Sequence, residues 1–317
     1  MRRIGKFFVW VLVLLVAVAG TFIVAYRVTD RPVEELKARW APPPSQFVEI
    51  AGMQVHLRDE GPRADSTPIV LLHGTGASLH TWDGWVYALK DEHRVIRYDL
   101  PAFGLTGPSP DSSYTIENYA RIVVAVLDSL QVDRCVLVGN SLGGYVAWAT
   151  AVLYPDRVER LVLVDASGYP FQSQSVPIGF KIARTPVLNK LMKDVLPRKV
   201  VENSVKNVYG DPSRVTPGLV DRYFDLTTRA GNRQALAERF RQTQPGSLAQ
   251  RVPELKLPTL ILWGGRDRLI PPEIGDRFHQ EIAGSKLVRF NELGHVPQEE
   301  DPARTVKALK EFLVQQR

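Results

Sequence analysis

One stretch, Gly139-Asn140-Ser141-Leu142-Gly143-Gly144, restricts this chain more than any other. An apolar run, Cys135-Val136-Leu137-Val138, leads into it, and a segment with helical character over 145–153 leads out. A strand that turns directly into a helix forces the residue at the bend into a strained backbone conformation. Small neighbours are needed on either side. Such a bend holds the Ser141 hydroxyl clear of the backbone. It also sets the serine at a helix N-terminus, where free amides and the helix dipole favour negative charge. That placement suits a nucleophile beside a developing oxyanion.

The rest of the chain shows where the bend sits. Apolar strands are predicted at 68–72, 94–98, 134–138 and 160–164, with helices at 79–89 and 115–130 between them. Strands that are apolar throughout and separated by helices imply a parallel sheet covered on both faces. The strands end in His73-Gly74-Thr75-Gly76, in Asp99-Leu100-Pro101-Ala102-Phe103-Gly104, in the serine turn and in Asp165. Ligands of such sheets bind beyond the carboxyl ends of the strands. From 169 to 253 the rhythm breaks into helical segments without a buried strand, which reads as an inserted helical piece. The sheet resumes with strands at 259–263 and 286–290. These end in Gly264-Gly265-Arg266-Asp267 and Leu293-Gly294-His295, and an amphipathic helix closes the chain at 302–314.

The single cysteine, Cys135, excludes an internal disulfide and a cysteine-based metal site. It lies in an apolar strand and reads as a small core residue. The net charge of +6 is uneven: residues 169–253 hold 14 Lys+Arg against 6 Asp+Glu, and the remainder 26 against 28. No basic run interleaved with aromatics points to nucleic acid. The basic inserted segment could face anionic headgroups or an anionic substrate, or form an ordinary solvated surface.

Residues 7–26 form an uncharged run behind Arg2, Arg3 and Lys6. That length predicts a transmembrane helix acting as an uncleaved, single-pass signal anchor. The N-terminus is then inside and the catalytic body extracytoplasmic. Secretion after signal cleavage near Ala17-Val18-Ala19 is the alternative. The expected division is a membrane anchor at 1–28, a stiff Pro-rich linker at 29–45, a first core part at 46–168, a helical cap at 169–253 and a second core part at 254–317.

A serine hydroxyl needs a base within reach, and the base needs an acid to orient it. Of six histidines, His295 alone sits in a glycine-flanked loop beyond a late strand, so it is the expected base. His73, before Gly74, suits a structural role. Asp267 is the expected acid, with Asp165 as competitor and Asp99 as a loop-holding residue. The expected oxyanion donors are the amides of Leu142 and Thr75. No cofactor and no metal site is expected.

The order Ser141…Asp267…His295, the serine turn, the His73-Gly74 loop and Tyr154-Pro155-Asp156-Arg157-Val158 together resemble the α/β-hydrolase family over residues 46–317. The resemblance implies a mostly parallel eight-stranded sheet flanked by helices, with a helical cap inserted after the sixth strand. Ala102 departs from it, standing where many relatives have glycine. Members with aspartate as nucleophile, the epoxide hydrolases and haloalkane dehalogenases, are set aside by Ser141. The resemblance implies a serine hydrolase cleaving carboxylic esters through an acyl-enzyme; with the N-terminal helix and the basic cap, the expectation is a membrane-tethered enzyme suited to lipid-like or amphiphilic esters. The alternative is a carbon–carbon bond hydrolase acting on a diketone-type ring-cleavage product. Such enzymes also have Gly-Asn-Ser but usually carry tryptophan after the catalytic Gly-His, where this chain has Val296. Non-catalytic binding proteins on this fold generally lack part of the triad, and this chain has every part. The expected partners are a small-molecule ester and, through the N-terminal helix, a membrane.

Overall fold

The computed structural model describes residues 2–191 and 194–315. Eight strands form one sheet: β1 (Gln46–Ile50), β2 (Met53–Glu60), β3 (Ile69–Leu72), β4 (Val95–Tyr98), β5 (Cys135–Asn140), β6 (Val158–Val164), β7 (Thr259–Gly264) and β8 (Lys286–Phe290). Their order is β1-β2-β4-β3-β5-β6-β7-β8. β1 and β2 pair antiparallel, as do β2 and β4, and the remaining pairs are parallel. The helices are α1 (Arg2–Ala25), α2 (Val33–Trp40), α3 (Asp83–Leu89), α4 (Ile116–Ser129) and α5 (Leu142–Leu153), then α6 (Ile178–Arg184), α7 (Pro186–Leu191), α8 (Arg198–Val208), α9 (Pro217–Thr227) and α10 (Asn232–Gln242). After β7 come α11 (Glu273–Glu281), α12 (Pro297–Glu300) and α13 (Pro302–Gln315).

The continuous apolar runs have the reason expected of them. Successive side chains of a strand face opposite ways, and in β3 both faces are covered. Val70 and Leu72 join the core layer of Ile122, Val126 and Trp148. Ile69 and Leu71 join the opposite layer of Trp82, Trp85, Leu309 and Phe312. The edge strand β8 has only Phe290 buried, which fits its mixed sequence.

Between β6 and β7 the chain forms α6 to α10, a helical cap after the sixth strand. Its first helical segment is broken in two. Pro186 lacks an amide hydrogen and drives Thr185 into extended backbone (φ −96°, ψ 108°), so α6 stops and α7 starts afresh. Several cap cations are paired within the molecule: Arg198 with Asp221, Lys206 with Glu202 and Arg222 with Glu299.

The N-terminal expectation needs correction. Among the described residues no helix is long and apolar enough to cross a membrane. That overturns the single-pass signal anchor. Nor do residues 29–45 lead away from the body as a stiff extended spacer. Val28 donates to Asp194 O (2.8 Å), Arg31 donates to Thr228 O (2.7 Å), and Ala230 donates back to Arg31 O (2.9 Å). The segment then coils into α2, whose Leu36 is buried against Leu105 of the core and Leu226 of the cap. Asp225 of α9 accepts from Arg31, Arg39 and the Trp40 indole. The acids that hold this segment lie far along the chain, so local composition could not reveal them.

Candidate active site

Ser141 lies between β5 and α5 with φ 56° and ψ −115°. A non-glycine residue at positive φ stores strain. The neighbouring glycines show how tight the bend is. A Cβ on Gly139 would stand 2.0 Å from Gly143 O, and one on Gly143 would stand 2.2 Å from Leu72 O. Only backbone fits there. The bend is held by Ser141 N donating to Val164 O (3.0 Å) and by Ser167 N donating to Ser141 O (3.0 Å).

His295 is 4% exposed and follows β8 through Leu293 and Gly294. Its Nδ1 lies 2.7 Å from Asp267 Oδ2. This leaves Nε2 as the nitrogen available to a nucleophile. Asp267 Oδ1 accepts from the amides of Leu269 (2.8 Å) and Ile270 (2.9 Å), which fix the direction of the carboxylate. Asn140 ties the His295 loop to the bend, its Nδ2 donating to His295 O (3.0 Å) and Val164 O (3.2 Å). The cap is joined to the same loop: His295 N donates to Val208 O (2.8 Å). A Cβ on Gly294 would meet Gly210 N at 2.3 Å. Glu300, buried below, accepts from the amides of Gly210, Asp211 and Gly294.

The competing acids have other partners. Asp165 accepts from Gly264 N (2.9 Å). Burial, and then the charge of Asp267, push its pKa well above the carboxylate range. Asp99 accepts from His56 Nδ1 (2.7 Å) and from the amides of Leu79 and Leu105 (both 2.8 Å). Burial opposes its charge, but His56, His73 and His80 outweigh that and hold its pKa below the usual range. Asp99 therefore ties loops together, as expected. His73 is fully buried, its Nε2 accepting from Leu100 N (2.9 Å) and its Nδ1 meeting Gly74 O (2.8 Å). Burial lowers its pKa, which matches a structural imidazole.

A second Ser–His–Asp alignment also exists: Ser45 Oγ lies 2.8 Å from His56 Nε2, and His56 bonds Asp99. Ser45 takes a further bond from Arg58 Nε (2.9 Å) and lacks both a strained bend and a place on the large cavity. It fastens the end of the N-terminal segment to β2.

The two amides expected to serve as oxyanion donors lie at or beside the bend. Leu142 opens α5, so its amide has no intrahelical acceptor. The loop bearing Thr75 passes against the bend: a Cβ on Gly74 would lie 3.0 Å from Ser141 Cβ. Thr75, Ser141 and His295 line one cavity of about 400 Å³. Its remaining wall is mostly apolar cap, including Phe180, Ile182, Val200 and Leu236. Asp30 and Arg233 also line it. They pair with each other, Arg233 Nε to Asp30 Oδ1 at 3.0 Å, and Arg233 Nη1 is buried without a partner among the described residues. Neither was identifiable from sequence, because no motif marks them and they lie some two hundred positions apart.

Asp165, Asp267 and His295 each offer a ligand atom within 4.8 Å of the others, the one such cluster among the described residues. Within it His295 and Asp267 are bonded directly to each other at 2.7 Å, while Asp165 is bonded to Gly264 N.

The family model for the alpha/beta hydrolase fold matches residues 67–302. A 2-hydroxy-6-oxo-2,4-heptadienoate hydrolase from Pseudomonas putida is 32% identical over 277 residues, covering 84% of this chain and 95% of that protein. A solved meta-cleavage product hydrolase from Pseudomonas fluorescens superposes with a TM-score of 0.73 at 26% identity, covering 86% of this chain and 98% of that one. A solved esterase from Thermogutta terrifontis gives 0.70 at 27% identity, covering 85% and 98%. The reach of the family model and the extent of these likenesses show that the chain belongs to the alpha/beta-hydrolase family and is a hydrolase.

Proposed function

We propose that this protein is a serine hydrolase that attacks an activated carbonyl and breaks the carbon–carbon bond beside it, with a dienoate-type ring-cleavage product as substrate. The observation that carries the serine chemistry is the 2.7 Å bond from His295 to Asp267, on a cavity that Ser141 shares. Ser141 Oγ adds to the carbonyl while His295 Nε2 takes its proton. The amides of Leu142 and Thr75 stabilise the oxyanion, each contributing roughly 3–4 kcal/mol. Collapse expels the carbon fragment, whose electron pair delocalises into its conjugated system and takes up the proton held by His295. Water, activated by the same imidazole, then releases the acyl group. The curated relative supports carbon as the leaving atom. Arg233, which lines the cavity beside its partner Asp30, supports a substrate bearing a carboxylate.

A second reading, hydrolysis of carboxylic esters, is favoured by two observations. Val296, where carbon–carbon hydrolases usually carry tryptophan, is buried in an aliphatic cluster with Val201, Val205 and Val220 of the cap. The cavity wall is mostly apolar and suits an acyl chain. The test compares turnover of 2-hydroxy-6-oxo-2,4-heptadienoate with a p-nitrophenyl ester series, using wild type and Ser141→Ala. Dienoate turnover at least as efficient as the best ester, lost in Ser141→Ala, is expected. Turnover of esters alone replaces the first reading with the second. A folded protein that turns over neither and takes no fluorophosphonate label on Ser141 sinks both.

A further inference from the structure

Asp165 is spent oddly for a residue outside the relay. It follows β6 directly, at φ 43°, and is fully buried beneath His295 and Asp267. Positive φ at a buried aspartate is strained and persists only where neighbours impose it. One carboxyl oxygen, Oδ1, accepts from Gly264 N. The other, Oδ2, is buried and takes no hydrogen bond from any described residue. It is the one carboxyl oxygen in that condition among the described residues. A charged oxygen left so would bear the full cost of desolvation.

The surroundings offer a resolution. Asp267 and His295 each bring a ligand atom to within 4.8 Å of Asp165. Gly264 presents its amide, and Glu300 of α12 lies near but is engaged by the amides of Gly210, Asp211 and Gly294. Among the described residues no lysine or arginine pairs with Asp165. Two carboxyls this close in a dry interior share one proton, because both cannot be charged. The proton resides where fewer donors stabilise charge. Asp267 has two amides and an imidazole, whereas Asp165 has one amide.

We propose that Asp165 is a positioning residue: held as the neutral acid, it donates from Oδ2 to the Asp267 carboxylate and so braces Asp267 against His295. The inference rests on the reading of Ser141, His295 and Asp267 as the relay. Burial and the neighbouring Asp267 both raise the Asp165 pKa, in the direction this requires. The role differs from that of an orienting acid. A neutral donor can be replaced by an amide, since asparagine keeps an N–H for Asp267 and a carbonyl for Gly264 N. Leucine fills the same space and supplies neither.

The probe is a fluorophosphonate, whose rate of reaction at Ser141 reads activation by His295 without a known substrate. Its maximal rate and its half-saturating concentration are measured across pH for wild type, Asp165→Asn and Asp165→Leu. Asp165→Asn should stay within about threefold of wild type, with the acid limb of its profile unmoved. Asp165→Leu should lose about 10–100-fold in maximal rate at unchanged half-saturation, as expected for a misaimed acid–base pair. Its acid limb should move up, because Asp267 without a donor favours the imidazolium. Two results overturn the proposal. One is Asp165→Asn as slow as Asp165→Leu. The other is an acid limb in Asp165→Asn that moves down by about half a unit or more, as removal of a real anion beside His295 would cause. If Asp165→Leu does not fold, the Asp165→Asn profile still decides. The infrared spectrum decides as well: a protonated-carboxyl band present at neutral pH in wild type must vanish in Asp165→Asn, and its absence from wild type refutes the neutral acid. Failure of the underlying reading looks different, with Asp267→Asn reacting at the wild-type rate.

Discussion

Replacing Gly143 with alanine puts a methyl carbon 2.2 Å from Leu72 O, 2.6 Å from Leu72 C and 2.7 Å from His73 O. A carbon–oxygen contact is comfortable at about 3.3 Å, so the shortfall is about 1 Å. The obstacle cannot yield cheaply. Leu72 ends β3, which is hydrogen-bonded to β4 on one side and β5 on the other. The start of α5 must move instead, and it takes the Leu142 amide with it. Overpacking of this kind costs about 1–3 kcal/mol of stability, partly offset by up to about 1 kcal/mol of helix propensity. The larger effect falls on catalysis. Displacing one oxyanion donor by about 1 Å removes most of its contribution, so the rate should fall about 10²–10³-fold. Gly218→Ala is the matched control: nothing lies within 4 Å of the added carbon in the first turn of α9. It should leave the rate unchanged and the melting temperature equal or slightly higher. The assay pairs thermal melting with the fluorophosphonate reaction rate. A Gly143→Ala protein with wild-type rate and wild-type melting temperature would refute the reasoning about the bend and the donor.

Three further outcomes are expected. Asp267→Asn should lower turnover about 10³–10⁴-fold with little change in melting temperature; near-normal turnover there, with loss in Asp165→Asn, would exchange the two roles. Burial holds the His80 imidazole at about 3 and lowers that of His73, so both are neutral when folded. The unfolded chain takes up protons near the ordinary value of about 6.5, so stability is flat above that pH. It falls on acidification from about 6.5 towards 3, by a few kcal/mol in all; a urea midpoint that does not move between pH 7 and 4 would count against the buried, neutral pair. Asp30→Ala removes the Arg233 pair and the acceptor of Gly231 N, while Asp30 itself is 40% exposed at its side chain. Solvent screening limits the loss to about 1 kcal/mol, but KM for a substrate filling the cavity should rise more than kcat falls; unchanged KM across substrate lengths would separate the N-terminal segment from the site.

Much of this protein was legible residue by residue. The glycines around Ser141, the apolar runs of β3 to β7 and the loss of strand rhythm after Asp165 are local signals. Each reports what its own few residues can do: turn sharply, bury two faces, or not form a strand. They determined the sheet, the position of the cap and the loops from which a nucleophile, base and acid could come. The partners of those groups were decided by tertiary structure. Three aspartates end strands, and only the fold shows that Asp267 meets His295, that Asp99 binds loops and that Asp165 lies beneath them with an unpaired oxygen. The N-terminal chain was misread for the same reason. Its apolar run and prolines suggested an anchor and a spacer, whereas residues 28–40 are held by Asp194, Thr228 and Asp225, far along the chain. A charge or an amide is recognisable in the sequence, but what satisfies it depends on which distant segment the packed core brings within about 3 Å.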